Sequence, residues 1–332
     1  MGKRFPPYPG PVRLRVRDRT VAEYVVDPAS HPEFDPRWGP RPYLHPVRTL
    51  AGVPVTDTLP EDHRWHLGVS VAMQDVSGTN LWGGRTYVRD AGYTWLDDHG
   101  RIVHDAWLVA HPDDGPGGPG GEDVPGGPGG TGGMGDMGDA AGGDGFGERL
   151  RWLDPAGGTL LTEERTVVAR ELPGRDDAWA LDVTYALTAP ADREISLGSP
   201  ATNGRPGGAG YGGFFWRAAP GPADAFSAGA TGEERVNGGT EPWVALTGRG
   251  PDGAAYTLVF TGLGEGDHWF VRTGSYPGVC VALAFTRRLP IPPGGTVRRR
   301  HRVVVADGAL TRARVEALVR PAPPLTPSTP SI

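Results

Sequence analysis

Three of the nine histidines, His45, His63 and His66, fall within 22 positions, in the strings RPYLHP and PEDHRWH, with Glu61 and Asp62 beside them. Imidazole gives and takes protons near neutral pH without a shifted pKa, and a neighbouring carboxylate can orient it and stabilise its charged form. The cluster therefore points to acid–base chemistry, with His63 and His66 as the catalytic pair and Asp62 or Glu61 orienting one of them. Arg41, His45 and Arg272 are expected to bind substrate hydroxyls or a carboxylate. Two further readings of the histidines stay open. They could bond backbone carbonyls at strand ends, or the three together could hold Zn, Fe, Ni or Cu. No HxH or HExxH spacing supports a metal site, so none is assigned.

The elements that carry these residues set a condition. His63 and His66 differ by three positions, so on a regular strand they point to opposite faces. They converge only if Pro60 to Trp65 forms a turn or bulge. Beyond His66, Gly68, Ser70 and Ala72 share one face, small and polar like the wall of a cleft. Val69, Val71 and Met73 share the other, which reads as core.

Ten tryptophans supply a second signal. Aromatic faces stack on sugar rings in clefts and also fill sandwich cores. Trp107, Trp152 and Trp179 lie inside strand patterns and read as core. Trp65, Trp82 and Trp269 lie beside polar or Gly-rich turns, and Trp82 and Trp269 are taken as stacking surfaces. Trp269 is flanked by Asp267, His268 and Arg272, a second polar cluster. Cys280 lies inside VCVALAF and reads as packed.

Period-two alternation runs through most of the chain, beginning with Val12, Leu14 and Val16 against Arg13, Arg15 and Arg17. Extended runs follow near 20–26, 66–74, 86–96, 101–110, 159–171, 178–188, 243–248, 255–262, 279–286 and 296–306. So many strands, bounded by Gly, Pro, Asp and Asn, imply an all-β protein: a large two-sheet antiparallel β-sandwich. The one helix expected is short and C-terminal, Ala309 to Val319, with Asp307 as its N-cap. Residues 1–320 read as a single domain with a flexible Gly-rich insertion at 113–147, and 321–332 as a disordered Pro-rich tail.

Composition excludes several classes. Gly and Pro number 53 and 35 of 332, but 38% of residues are hydrophobic, too many for a disordered chain. Thirty-three basic against 39 acidic residues leave a charge of −6 and no basic face for nucleic acid. The Arg298–Arg302 run alternates along a strand and reads as a solvated face. No apolar run reaches the roughly 18 residues of a membrane span. The glycines of 115–147 do not connect a strand to a helix, so no dinucleotide site is implied. A single cysteine and the lack of an apolar leader point to a cytoplasmic protein.

The string RPYLHPVRTLAGVPVTDTLPEDHRWHLGV, followed by QDVSGTNLWG, resembles the bacterial PmoA-like proteins, a family of unknown function. LLTEERTVV, GYGGFFWRA and DHWFVRTGSYPGVCVALAF are similar to further blocks of that family, so the resemblance spans about residues 40–306. Its name evokes a methane oxygenase, but a membrane-integral oxygenase needs hydrophobic spans, which this chain lacks. The family pattern is close to DHxHHRG; here Trp65 replaces one histidine and Leu67 the arginine. Its Lys/Glu-Gly-Gly block is altered to Asn203-Gly204-Arg205. Family members commonly occur with sugar-catabolic oxidoreductases, which implies carbohydrate chemistry by association. The block from Pro292 to Thr296, leading to a strand and Asp307-Gly308, is also similar to the end of galactose-mutarotase-like sandwiches.

The expectation is an enzyme that acts on a sugar or keto-sugar by His/carboxylate acid–base catalysis, as an epimerase, lyase or hydrolase. Its partner is a small-molecule carbohydrate, with no cofactor, nucleic acid or membrane. The alternatives are a noncatalytic carbohydrate-binding module and a metal-dependent enzyme using the histidines.

Overall fold

A computed structural model describes residues 11–30, 33–109 and 143–319. Two large antiparallel sheets dominate. The seven-stranded sheet runs, in spatial order, Val12–Val16, Arg19–Val25, Tyr43–Val47, Val69–Ala72, Gly213–Arg217, Gly278–Ala282 and His268–Arg272. The eight-stranded sheet runs Asp224–Ser227, Trp243–Arg249, Ala255–Thr261, Thr296–Asp307, Ala178–Thr188, Thr159–Glu171, Gly143–Leu153 and Arg101–Val109. A three-stranded sheet and the hairpin of Thr86–Val88 with Gly92–Thr94 flank them.

Alternation sorts the side chains into layers. Val69, Val71, Phe214, Trp216, Val279 and Val281 face Trp152, Leu181, Tyr185, Leu258 and Val303 of the other sheet in one buried core. That core draws on residues from Val12 to Val305. The outer face of the eight-stranded sheet, with Ala178, Trp243, Ala245 and Val304, is covered by Val315 of the C-terminal helix. The outer face of the seven-stranded sheet, with Ala72, Phe215, Phe270, Cys280 and Ala282, is covered by Trp82 and Phe285. Both large sheets are thus covered over part of their outer faces, while Arg13 and Arg15 on one and Arg298, Arg300 and Arg302 on the other stay exposed.

The expected two-sheet sandwich is present, with corrections at its edges. The helix spans Arg312–Val319, and Asp307 ends a strand instead of capping it. The Asp307 carboxylate accepts a bond from the Ala51 amide (3.2 Å). The Gly-rich stretch yields to a strand at Gly143, not after Gly147. A Cβ at Gly145 would lie 2.4 Å from the Val167 carbonyl oxygen, so glycine serves close strand approach there. That strand pairs with Arg101–Val109, so residues 110–142 join two neighbours of one sheet. The rest of the expected insertion and the 321–332 tail lie outside the described residues. No helix among the described residues is long and apolar enough to cross a membrane.

The sandwich interior holds a charge network. Arg165 clamps Glu163 with two bonds (2.7 and 3.0 Å), and Trp152 Nε1 donates to the same carboxylate (2.8 Å). Arg165 also donates to Tyr24 Oη (3.0 Å), and Tyr24 donates to Glu148, which takes a second bond from His104 Nδ1 (2.9 Å). Removing one partner of such a pair strands the other charge, typically at about 3–5 kcal/mol. Arg165→Met is therefore expected to lower the unfolding free energy by about 3–5 kcal/mol in urea denaturation. Adding Glu163→Gln to that variant should recover part of the loss.

Candidate active site

The segment from Asp57 to Gly68 folds back on itself. Thr58 bridges Leu67, Leu59 N donates to the His66 carbonyl (2.9 Å), and Gly68 N donates to the Asp57 carbonyl (3.1 Å). Between them lie two successive turns, His63 N to Pro60 O (3.1 Å) and His66 N to His63 O (2.8 Å). Leu59 enters at φ 51°, a left-handed conformation uncommon for leucine. Gly68 closes the loop at φ 41°, where a Cβ would lie 2.0 Å from the Leu44 carbonyl oxygen. The turn that the spacing demanded is present, and it stacks the His63 and His66 rings 4.7 Å apart at 24°.

The two imidazoles are held differently. His63 Nδ1 lies 2.8 Å from Asp62 Oδ2. A carboxylate only accepts, so Nδ1 carries the hydrogen and the neutral ring keeps its lone pair on Nε2. Burial raises the Asp62 pKa, but the hydrogen bond and charge of His63 outweigh it and hold the carboxyl below its ordinary value. His66 Nδ1 lies 3.2 Å from Arg217 Nη1. A guanidinium only donates, so this Nδ1 is the acceptor and the proton sits on Nε2. Burial, then His63, Arg217 and Arg41, push the His66 pKa well below 6.5, so the ring is neutral. One histidine thus offers a base and its neighbour a donor.

Tyr276 closes one side, its ring 5.3 Å from His63 and 4.8 Å from His66. The Arg217 guanidinium lies 4.6 Å over that ring and 3.4 Å from Asp57 Oδ2. Tyr211 and Tyr93 continue the wall and share a 2.9 Å hydroxyl–hydroxyl bond. Burial raises the pKa of all three phenols, which remain protonated donors. At the rim, Trp65 meets Trp95 edge-on at 6.4 Å, and Trp95 is 44% exposed.

The other expected site residues separate from this group. Arg41 is fully buried and donates to Ser70 Oγ and to the carbonyls of Gly39, Trp82 and Trp65, so it binds the protein and not a substrate. His45 bonds Thr56 Oγ1 (3.0 Å) and takes no part in the stack. Among the described residues no three His, Cys, Asp or Glu side chains are grouped to hold a metal ion. Glu61 is exposed, and Asp62 makes the pairing. Trp82 is 1% exposed and packs beneath His66 at 6.1 Å; Trp269 is fully buried, faces the sandwich core and donates to the Glu241 carbonyl (2.7 Å). Neither is a stacking surface: the outer aromatic layer covers Trp82 and the sandwich core buries Trp269. Asp267 pairs with Arg299, and His268 stacks on Phe285. Arg272 lies 3.5 Å from Glu233 and 4.2 Å over the Phe270 ring, at the margin of the cluster.

Arg217, Tyr276, Tyr211, Tyr93 and Trp95 were not singled out from sequence. Alternation through GFFWR places Phe215 and Arg217 opposite core residues Phe214 and Trp216, a signal that an arginine there faces the site. A cavity of about 320 Å³ lies elsewhere, beside Arg15, Arg17, Asp144 and Glu171. Arg17 pairs there with Glu171 and Asp144 accepts from the Arg15 amide, and no histidine lines it.

Fold and site together define a two-sheet β-sandwich with a stacked histidine pair on the outer face of its seven-stranded sheet. Residues 11–320 match the model of a family described as a family of unknown function, DUF6807, and the chain belongs to that family. No curated protein and no solved structure matches it. The likenesses to PmoA-like proteins and to mutarotases rest on the sequence strings alone.

The buried, neutral His66 sets a pH dependence. Its folded pKa lies below the unfolded 6.5, so below about pH 6.5 the unfolded chain binds the extra proton. His301, brought down to about 4 by burial, acts in the same direction. Stability should be full above about pH 6.5 and fall below it, by up to about 1.4 kcal/mol per pH unit for each histidine. Urea denaturation across this range should show a shallower fall for His66→Asn. An unchanged slope would contradict a neutral His66.

Proposed function

We propose that the protein catalyses proton transfer on a sugar or keto-sugar, with His63 as base and His66 as hydrogen-bond donor. The observation that carries this reading is the stacked pair whose two Nδ1 atoms are held by opposite chemistry, a carboxylate on His63 and a guanidinium on His66. His63 Nε2 takes a proton from the carbon beside a carbonyl. The C–H electron pair moves into an enolate, and His66 Nε2–H donates to its oxygen. The Tyr276 phenol is a second donor beside both rings. Reprotonation of the enolate from solvent on the opposite face, with His63 releasing its proton to water, gives an epimer. Expelling a substituent from the next carbon, protonated by His63 as it leaves, gives a lyase product. Preorganised donors aimed at developing charge are a large source of rate acceleration. The sugar class is supported by the hydroxyl-rich wall of Tyr93, Tyr211 and Tyr276 and by the Trp65–Trp95 rim.

A noncatalytic carbohydrate-binding surface is the second reading, favoured by the exposure of Trp95. Proton NMR in D₂O, with a panel of simple sugars, glycosides and 3-keto-glycosides, separates the two. The catalytic reading expects loss or interconversion of one substrate C–H signal, slowed about 10²–10⁴-fold in His63→Ala and unaffected by His45→Ala. Ligand broadening without exchange, unchanged in His63→Ala, would overturn it in favour of the binding surface.

A further inference from the structure

The Tyr93 end of the site carries positive charge that no carboxylate among the described residues pairs with. Arg205, half-buried, donates through Nη1 to Tyr93 Oη and lies 4.8 Å over the Tyr93 ring. Among the described residues it forms no ion pair with a carboxylate. The Arg89 guanidinium lies against Gly204, the preceding residue, where a Cβ would come within 2.8 Å of its central carbon. Gly204 holds φ 103°, so this approach needs glycine in both space and backbone conformation. Arg89 likewise has no carboxylate partner among the described residues. Guanidinium groups gathered without counter-charge repel one another, a cost that a bound anion removes.

A chain of contacts links this charge to the histidine pair. The Tyr93 hydroxyl bonds Tyr211, whose ring lies 4.8 Å from Trp82, and Trp82 lies 6.1 Å from His66. From the other side, Arg272 is close enough to the Tyr93 and Tyr276 phenols to offset part of the rise that burial gives both. Tyr276 in turn touches both histidines.

We infer that Arg205, with Tyr93 and Arg89, binds a carboxylate of the substrate, so that the substrate class is a sugar acid and not a neutral sugar. This rests on the proton-transfer reading above and adds the group that orients the sugar over His63. The planar fork of arginine matches the two oxygens of a carboxylate. Phosphate ester oxygens share that chemistry, so the test includes both.

Saturation-transfer NMR and calorimetry with D-glucuronate, D-galacturonate, D-glucose and glucose 6-phosphate examine the inference directly. A uronate should bind, and Arg205→Gln should weaken it by roughly tenfold or more, as expected for a charged hydrogen bond. Arg205→Lys should restore part of the affinity, and glucose should bind the wild type more weakly than either uronate does. Affinity of the wild type should also fall with added salt, a readout that needs no variant to fold. No uronate binding, uronate binding unmoved by Arg205→Gln or by salt, or preference for glucose 6-phosphate would each overturn the assignment. His63→Ala separates the two proposals. Retained uronate binding with lost deuterium exchange supports both. Uronate binding without exchange in the wild type removes the catalytic reading alone. Exchange on neutral sugars without uronate binding removes the carboxylate site alone.

Discussion

One buried guanidinium holds the site together. Arg41 donates from Nε to Ser70 Oγ (3.0 Å), from Nη1 to the Gly39 and Trp82 carbonyls (2.9 Å each) and from Nη2 to the Trp65 carbonyl (3.1 Å). Buried backbone carbonyls must find donors, and three of them sit here in turns that have no sheet partner of their own. Burial and repulsion from Arg165 bring the Arg41 pKa down to about 9, which leaves it charged at neutral pH. Its grip on Trp65 and Trp82 ties the His63–His66 turn and the Trp82–Gly84 loop to the sheet through Ser70. Trp65 then lies flat on Gly84, where a Cβ would come within 2.5 Å of the indole, and Gly83 passes between Trp65 and the Trp38 backbone. Both glycines have positive φ, so no side chain could replace them without moving the tryptophan beside His66.

The seven-stranded sheet separates support from chemistry by alternation. Its inner side chains, such as Val71 and Trp216, lock it to the second sheet. Its outer ones, such as Ser70, Phe215 and Arg217, carry Arg41 and His66. A rigid strand fixes each outer residue in direction, so Arg217 reaches His66 from 151 positions away and still sets its tautomer. Sites built on strands in this way are more precisely positioned than sites on loops. Of the two stacked rings only His63, at the tip of its turn, keeps substantial exposure, 32% of its side chain. The more accessible ring is the one whose Nε2 is open to take a proton.

Much of this was legible locally. Period two predicted that Gly68, Ser70 and Ala72 would share a face opposite Val69, Val71 and Met73, and Ala72 and Val69 do lie in different clusters. Three-residue spacing required a turn at Pro60, and it is there. What local pattern could not reveal is which faces stay covered. Trp82 and Trp269 sit beside turns, as exposed aromatics often do, yet a second aromatic layer buries one and the sandwich core buries the other. Arg41 resembled a substrate-binding arginine because its acceptors are carbonyls, which leave no mark on the sequence. The Tyr24–Glu148 and Arg165–Tyr24 bonds span 124 and 141 positions, beyond any periodicity.

The electrostatics of the pair follow from its crowding. Two imidazoles stacked at 4.7 Å repel strongly if both are charged, and here only one has a carboxylate to favour its cation. Arg217 occupies the only acceptor nitrogen of His66, and Arg41 adds a second positive charge nearby. Burial and these two cations keep His66 a neutral donor, while Asp62 orients the His63 ring. Neutrality makes His66 a weaker acid but spares the site a second cation when His63 is protonated. The anionic substrate proposed above would offset the charge of the arginines around the phenols. Arg217 and Arg41 fix the tautomer of His66, and the anion proposed above would meet a different pair, Arg205 and Arg89.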